Sequence, residues 1–340
     1  MFIKWVLKMN KYYSNGPLLS YHYFLNFILG HRGVGKTRDF KVWCIKDFIK
    51  TGKQFVWVRR YKQETKKLTQ YYDDIRHVFP NNNLTRRGGD KDGVFEVDGK
   101  VAGYYLTLSI STSYKSVPYP NVDKIVFDEF LIDKTTYRYM SNEVVIFLDL
   151  INTIFRDRDD VRGVYCIGNN ISFTNPYFLY FGIMSFSGRF YRKGEVLVEM
   201  YENRVYIDNI KNTRFGRLVD GTAYGAYAIE NKSLLDDSTF IEKRPADTQF
   251  RFLIKYKYIT LGFWLDVKNG LMYACREFDP KTHAKYCLTR EDHEPNLYLI
   301  KNLRNTHIAD LKFMFQNGLL RFSDSQVKNI CYEILAYFVR

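Results

Sequence analysis

The sequence predicts an α/β fold, a mostly parallel sheet with helices on both faces, followed by a smaller α+β domain. Three observations support this prediction. The first half alternates apolar segments of strand length with amphipathic segments of helical period, a Gly-rich loop separates the first strand from the first helix, and a later apolar strand ends in two adjacent carboxylates. Such alternation is typical of parallel sheets, because a parallel connection needs a crossover, usually a helix.

The predicted elements of the first half follow from hydrophobic periodicity and turn residues. An apolar run predicts a strand at residues 21–29, and a helical pattern follows the Gly-rich loop to about residue 50. Asp98-Gly99 supplies the positive φ of a tight type I′ turn and predicts a hairpin. The other elements are a strand at 54–59, a helix at 61–78, hairpin strands at 94–97 and 101–110, a strand at 124–127, a helix at 142–155 and a strand at 161–167.

The second half of the chain is predicted to form a connector and a separate module. Residues 221–237 are small, polar and turn-rich, and a new apolar pattern begins after Arg244-Pro245. Segments 250–266 and 271–278 flank a turn at 267–270 as a hairpin, and two helices are predicted at 309–317 and 323–338. We therefore expect a first domain at 1–199, a linker module at 200–245 and a C-terminal domain at 246–340.

The composition favours a polyanionic partner. Lys and Arg number 51 against 37 Asp and Glu, which gives a net charge of +14. Charge on this scale favours DNA, RNA or an anionic surface, although a basic protein without a nucleic-acid role is an alternative. Five cysteines without a CxxC pair predict reduced thiols rather than disulfides or a zinc knuckle. The apolar N-terminus is broken by Lys4 and Lys8 and lacks a cleavage site, so we expect a soluble protein with no membrane partner.

The most specific motif is an unbroken GxxxxGK[ST] between a strand and a helix. Its glycines let main-chain N–H groups curl around phosphates, and the helix that follows adds the positive end of its dipole. Lys36 is predicted to reach the β- and γ-phosphates, and Thr37 to ligate Mg²⁺. The motif therefore predicts a site for ATP and Mg²⁺, with the nucleotide-binding residues Gly30, Arg32, Gly33, Val34, Gly35, Lys36 and Thr37.

An acidic pair, Asp128 and Glu129, follows a later apolar strand. Asp128 is expected to hold Mg²⁺ or its water shell, and Glu129 to orient and deprotonate the attacking water. Acidic pairs are common at ordinary strand ends. In a chain that also carries the P-loop, this pair favours ATP hydrolysis over phosphoryl transfer to a small acceptor.

Two further motifs each have two interpretations. Asn169 or Asn170, after the strand at 161–167, is a candidate contact for the γ-phosphate, or else caps a turn. Arg156 or Arg158, after the helix at 142–155, is a candidate arginine finger for a neighbouring subunit, or part of a solvated helix end. The chain has no NKxD sequence, which argues against a GTPase.

Basic residues cluster after the second predicted strand and around the predicted hairpin. Lysines on a hairpin loop inside a ring of subunits would meet DNA phosphates without sequence preference. Solvated surface is the alternative meaning of such clusters. The candidate nucleic-acid contacts are Lys115, Lys100, Arg86 and Arg87.

Together these motifs resemble the genome-packaging ATPases of small protein-primed podophages, the phi-29-like encapsidation proteins. The resemblance is carried by FILGHRGVGKT, QFVWVRRYKQE, STSYKSVPYPNVDKIVFDEF, FRDRDD and YCIGNN, which span about half of the chain. It implies an ASCE-type, RecA-like ATPase of the terminase kind, in a homopentameric ring that moves double-stranded DNA through the portal of the prohead, often with a packaging RNA. Such a protein works in the host cytoplasm and binds the prohead transiently.

The resemblance also assigns roles to residues of this chain. Arg156 is the preferred trans-acting finger, Lys66 a second trans contact, and Lys115 the DNA grip. The C-terminal domain of the family looks like a degraded RNase H-type nuclease. Here Asp266 stands at a predicted strand end without an obvious carboxylate set downstream, so we expect a nuclease-like fold that binds nucleic acid or the portal and does not cleave.

Two other functions stay open at this point. A different ASCE translocase or a helicase would use the same motifs, and strand separation without proheads would favour it. A non-catalytic nucleic-acid-binding protein with a relic P-loop would show no ATP turnover. The intact P-loop and acidic pair argue against the relic.

Overall fold

The chain forms two compact units, which are described separately. A computed structural model describes residues 12–132, 139–140, 142–169, 175–183, 186, 188–222, 225, 229, 240–300 and 306–337. The first unit comprises Met1–Ile171 and Phe186–Lys232, and the second comprises Ser172–Ser185 and Ser233–Arg340. Within the described ranges, no helix has the length and apolar character needed to cross a membrane.

Helices and strands alternate through most of the first unit. The helices of the whole chain, in order, are α1 Gly16–Leu19, α2 Lys36–Thr51, α3 Lys62–Thr65, α4 Glu143–Phe155, α5 Pro176–Phe181, α6 Arg204–Lys211, α7 Arg214–Val219, α8 Thr306–Gln316 and α9 Ser325–Ala336. The strands of the first unit are β1 Leu25–Gly30, β2 Gln54–Arg59, β3 Leu84–Gly88, β4 Asp92–Val97, β5 Lys100–Thr107, β6 Val122–Asp128, β7 Gly163–Asn169, β8 Phe190–Lys193 and β9 Val196–Tyr201.

The first unit is built on a nine-stranded sheet with the order β3-β4-β5-β2-β6-β7-β1-β9-β8. The six strands from β5 to β9 in this order pair in parallel, and antiparallel strands extend both edges. Every residue of β1 and β6 is buried, as expected for central strands covered on both faces. The predicted mostly parallel sheet is confirmed.

The parallel pairing places the predicted site residues at one edge of the sheet. The carboxyl ends of parallel strands lie at the same edge, and a ligand binds there in open α/β sheets. In the register of the sheet, Gly30 of β1 stands opposite Asn169 of β7, and Asp128 of β6 stands opposite Ile167. β2 lies beside β6, so Arg59 also ends at this edge.

The segment predicted as one helix at 61–78 is broken into short pieces. α3 has only four residues and is followed by short 3₁₀ helices at Lys66–Gln70 and Arg76–Val78. The reason is tertiary packing, since the Tyr71 ring stacks on Phe95 at 4.0 Å between centroids and is fully buried. Burial of this aromatic cluster overrides the helical period of the sequence.

The predicted hairpin is confirmed, with a shorter second strand. β4 and β5 pair antiparallel around Asp98 and Gly99, whose φ angles are 51° and 75°. These positive angles are what a type I′ turn requires. β5 ends at Thr107 and a 3₁₀ stretch, Leu108–Tyr114, follows, whereas the predicted strand ran to residue 110.

The second unit contains a six-stranded mixed sheet with the order β14-β13-β10-β11-β12-β15. β10, β11 and β12 form an antiparallel meander, while β13 pairs in parallel with β10 and β15 with β12. The predicted hairpin around 267–270 joins β11 and β12. The strands are β10 Gln249–Tyr256, β11 Ile259–Asp266, β12 Leu271–Cys275, β13 Lys285–Cys287, β14 Tyr298–Leu299 and β15 Leu320–Phe322.

Two sequence-based boundaries differ from the structure. The apolar run 250–266 is two strands, because Lys257 adopts a positive φ of 55° and reverses the chain between β10 and β11. The compact units also divide the chain at other positions than 1–199, 200–245 and 246–340, since Phe186–Lys232 joins the first unit and Ser172–Ser185 joins the second. The physical reason is that β9, which crosses the predicted boundary, pairs in parallel with β1 in the main sheet.

Candidate nucleotide site

The loop between β1 and α2 has the conformation that its glycines make possible. Gly33 and Gly35 have φ angles of 79° and 95°, in the left-handed region, and α2 begins directly after Gly35. A Cβ atom at Gly33 would lie 2.5 Å from the hydroxyl of Tyr206, which itself donates to the carbonyl of Arg32 at 3.0 Å. Helix α6 therefore supports the loop through Tyr206, a contact that the sequence did not predict.

Lys36 is held against the main chain of its own loop. Its Nζ donates to the carbonyl oxygens of Gly30 at 2.9 Å and His31 at 2.7 Å, and the residue is 5% exposed. Burial lowers the pKa of Lys36 to about 7, against the opposing effect of the carboxylates of Asp128 and Glu199. A phosphate anion in the loop would compensate this buried charge more strongly than carbonyl dipoles do.

The carboxylate of Asp128 is tied to two neighbouring elements. The hydroxyl of Thr37 donates to its Oδ1 at 2.9 Å, and Arg59 pairs with its Oδ2 at 2.7 Å. Burial raises the pKa of Asp128, and the Arg59 guanidinium acts in the opposite direction. Thr37 and Asp128, the two predicted Mg²⁺ ligands, therefore lie within hydrogen-bond distance of each other.

Arg59 is a site residue whose role the motifs did not predict; it belongs to the basic residues that cluster after the second predicted strand. Its guanidinium bridges both members of the acidic pair, at 2.7 Å to Asp128 and 2.7 Å to Oε2 of Glu129. The signal that could have found it is its position at the end of the strand that neighbours β6, where Val58 stands opposite Phe127. In a parallel sheet, adjacent strand ends bring their side chains together.

Glu129 and Asn169 face the same cavity as the P-loop. The side chain of Glu129 is 61% exposed, and its main chain has a φ of 61° directly after β6. Asn169 ends β7 and is half-buried, while its neighbour Asn170 lies outside the described residues. The cavity has a volume of about 750 Å³, and its lining includes Gly33, Gly35, Lys36, Thr37, Asp128, Glu129, Gly168 and Asn169.

The same cavity also has side chains suited to a nucleotide base. Its lining includes Tyr12, Tyr13, Arg38, Asp39 and His77. An aromatic ring provides a stacking surface, and polar groups beside it provide hydrogen-bonding partners for a base edge. The volume and the mixed lining fit a nucleoside triphosphate with its phosphates at the P-loop.

The structure separates the two candidate finger arginines. Arg156 follows α4, is exposed and lines a second cavity of about 590 Å³ together with Lys115. Arg158 donates to the carbonyl oxygens of Pro120 at 2.7 Å and Val122 at 2.5 Å, so it braces the start of β6. Neither arginine lines the nucleotide cavity of its own chain.

The predicted nucleic-acid residues lie on the antiparallel edge of the sheet and on the loop that follows it. Arg87 pairs with Glu96 at 3.1 Å, and Arg86 stacks over the Tyr105 ring at 4.3 Å. Lys100 is exposed at the hairpin turn. Lys66, the predicted second trans contact, pairs with Asp90 at 3.3 Å and has a 63% exposed side chain.

The residues that would hold a metal ion suit an ion that binds together with a nucleotide. Among the described residues, no group of three or more His, Cys, Asp or Glu side chains is arranged to bind a metal. Thr37 and Asp128 instead present a hydroxyl and a carboxylate side by side. Mg²⁺ prefers such oxygen ligands and commonly completes its shell with phosphate oxygens and water.

A known protein family and its members match nearly the whole length of the chain. The profile of the family described as "Podovirus DNA encapsidation protein (Gp16)" matches residues 7–338. The DNA packaging protein of Bacillus phage phi29 is 42% identical over 325 residues, which cover 95% of this chain and 96% of that protein.

Two solved structures extend the comparison to three dimensions. The bacteriophage Phi-29 viral genome packaging motor assembly contains a chain that is 41% identical, with a TM-score of 0.77 and coverage of 96% of this chain and 99% of that one. The crystal structure of the N-terminal domain of the DNA packaging ATPase from bacteriophage phi29 is 41% identical, with a TM-score of 0.53, and covers 57% of this chain and 97% of that one.

Proposed function

The chain belongs to the podovirus DNA encapsidation protein family, and from this premise we propose that it hydrolyses ATP to drive double-stranded DNA into a preformed capsid. Membership confirms the resemblance drawn from the motifs, and DNA packaging is the function of the family. The observation that carries the ATPase proposal is one cavity that holds both the P-loop residues Lys36 and Thr37 and the acidic pair Asp128 and Glu129. The packaging relative from phi29 is itself described as an ATPase.

The side chains divide the chemistry of hydrolysis among them. Lys36 binds the β- and γ-phosphates, and exchanges its two main-chain acceptors for phosphate oxygens. Glu129 orients the attacking water and accepts its proton, which its exposed position beside the cavity allows. Asn169, at the end of the neighbouring strand, contacts the γ-phosphate.

Thr37 and Asp128 would hold Mg²⁺ together with the nucleotide. The ion supplies neutralisation of negative charge on the phosphates. Arg59 pairs with both carboxylates. We infer that Arg59 has to share or release these carboxylates when Mg·ATP binds.

The proposed partners are double-stranded DNA, the portal of a prohead and further copies of the same chain. The net charge of +14 and the basic side chains suit phosphate contacts. The candidates are the exposed Lys115, Lys100 and Arg87 and the half-buried Arg86. We propose a ring, with five subunits as in the sequence-based expectation, in which Arg156 and Lys66 act on the neighbouring site. A packaging RNA, transient binding to the prohead and a location in the host cytoplasm belong to the same proposal.

The second unit is proposed to bind nucleic acid or the portal without cleaving DNA. Its mixed sheet, a meander extended by parallel strands, suits the RNase H-like expectation. Asp266 lies at the end of β11, where its carboxylate accepts from the main chain and the side chain of Asn269 at 3.0 and 2.7 Å. That carboxylate is engaged in a turn, a structural use that supports a non-cleaving unit.

Replacement of Lys36 tests the ATPase proposal. We expect Lys36→Ala to weaken ATP binding by about 10- to 100-fold, because charge-assisted hydrogen bonds contribute about 1.5–3 kcal/mol, and to abolish DNA-stimulated ATP turnover. The matched control is Lys53→Ala, which removes an exposed lysine paired with Asp160 and should leave both unchanged. Wild-type protein with no turnover in the presence of DNA and Mg²⁺ would favour a relic P-loop, and strand separation without proheads would favour a helicase.

The lowered pKa of Lys36 predicts proton uptake on nucleotide binding. With a pKa of about 7, most of Lys36 is neutral at pH 8, and a bound phosphate anion raises that pKa. ATP binding should therefore take up about one proton at pH 8, and ATP affinity should fall as the pH rises above 7. Calorimetry in two buffers of different ionisation enthalpy measures the uptake. Lys36→Arg stays charged and should show none.

A further inference from the structure

Arg60, the residue after β2, joins the loop that follows β6 to the start of α4. Its Nε lies 2.9 Å from Oε2 and 3.0 Å from Oε1 of Glu143, the first residue of α4, and its Nη2 lies 3.0 Å from Oε1. The same guanidinium donates to the carbonyl oxygens of Glu129 at 3.1 Å and Phe130 at 2.5 Å. One side chain thus fixes the main chain at the proposed catalytic carboxylate and at the next residue.

The surroundings of Arg60 hold the guanidinium in place. Arg60 is 1% exposed, and the carboxylate of Glu143 is fully buried. The guanidinium carbon lies 5.3 Å from the centre of the Phe127 ring and 5.2 Å from that of Tyr139. The planar guanidinium thus combines two aromatic contacts with hydrogen bonds to one carboxylate and two carbonyl groups, an arrangement that lysine cannot reproduce.

Glu129 needs such support because its main chain is in an unfavourable conformation. Its φ of 61° lies in the left-handed region, which a glutamate rarely adopts unless the structure around it enforces that conformation. Arg59 pairs with the side chain of Glu129, and the Arg60 guanidinium donates to the carbonyl oxygen of the same residue. Two consecutive arginines therefore hold the two ends of one residue.

We propose that Arg60 is a positioning residue for Glu129. Arg60 fixes the main chain of Glu129 and anchors it to Glu143 at the start of α4, which sets the direction of the catalytic carboxylate. The inference rests on the proposed ATP hydrolysis. Stability alone does not explain the ion pair, because buried pairs are often replaced by apolar residues without loss of stability. A small displacement of a catalytic group, in contrast, strongly lowers the rate.

The first test separates nucleotide binding from turnover. In Arg60→Lys, the charge beside Glu143 is kept, but a single ammonium group cannot reach the two carbonyl oxygens as well. We expect kcat for ATP to fall by about 100-fold, while the Kd for ATP changes less than about threefold, because the P-loop is untouched. An Arg60→Lys protein that folds and keeps the wild-type kcat would overturn the proposal.

A double variant distinguishes positioning from a purely structural role. Arg60→Met combined with Glu143→Leu replaces the buried pair by apolar side chains, which should restore the melting temperature that Arg60→Met alone lowers. The carbonyl groups of Glu129 and Phe130 still lack their donor, so kcat should stay about 100-fold below wild type. Recovery of both the melting temperature and kcat would show that Arg60 serves stability only.

Lys124 provides a matched control in the same strand region. It is fully buried near the start of β6, at the opposite end from Asp128, and pairs with Asp47 at 2.7 Å and with Asp123. Lys124→Met should lower the melting temperature but leave the kcat of the folded protein within about threefold of wild type. Equal losses of kcat in Lys124→Met and Arg60→Lys would overturn the positioning role. Absence of turnover in the wild-type protein would instead refute the proposed function, and this inference with it.

Discussion

Rings assembled from Arg156→Ala subunits are expected to lose about 10³- to 10⁵-fold in ATP turnover while each subunit still binds ATP. An arginine finger stabilises the charge of the transition state and contributes on this scale. Arg156 does not line the nucleotide cavity of its own chain, and its guanidinium makes no ion pair within the described part of the chain. Its proposed target is therefore the site of a neighbouring subunit.

Mixing of subunits with complementary defects tests this assignment directly. Arg156→Ala subunits keep their own catalytic glutamate, and Glu129→Gln subunits keep their finger. Mixed rings should recover activity where a Glu129→Gln subunit supplies its arginine to an Arg156→Ala site. Arg158→Ala is the control, since Arg158 binds main-chain carbonyl groups of its own chain and its loss should not be rescued by mixing. Normal turnover in an assembled Arg156→Ala ring would contradict the finger role.

Glu129→Gln is expected to bind ATP and to hydrolyse it about 10²- to 10⁴-fold more slowly. The amide keeps the size of the side chain but cannot accept the proton of the attacking water, and general-base catalysis contributes on this scale. Turnover and the equilibrium Kd for ATP, measured on the same preparation, separate the two effects. The Kd should stay within about threefold of wild type because the P-loop is unchanged.

The control for this substitution is Glu195→Gln. Glu195 is an exposed residue between β8 and β9 in the same unit and does not line the nucleotide cavity. Its replacement should leave turnover unchanged, which excludes a general effect of lost negative charge. A Glu129→Gln protein that retains more than about one tenth of wild-type turnover would show that another group activates the water.

Much of the candidate site could be predicted because it depends on local sequence. The P-loop needs left-handed glycines and a lysine at set positions, so the motif at Gly30–Thr37 determines its own conformation. Asp128 and Glu129 stand at the end of an apolar run, and the parallel sheet that such runs form carries them to the edge where the P-loop lies.

Packing that is distant in sequence could not be predicted in the same way. The helix expected at 61–78 fails because Tyr71 is buried against Phe95, a partner on another strand. The linker expected at 200–245 begins inside β9, whose place beside β1 depends on pairing between residues far apart in the chain. Local propensity carries no information about either contact.

Residue types and their spacing were therefore sufficient to predict the chemistry of the chain: a P-loop, an acidic pair and an excess of basic residues. The tertiary structure determined which group each arginine binds. Arg59 pairs with Glu129, Arg60 pairs with Glu143, and Arg158 binds the carbonyl of Pro120. The physical reason is that a guanidinium can pair with any carboxylate or carbonyl that folding brings within its reach, and only three-dimensional proximity selects among them.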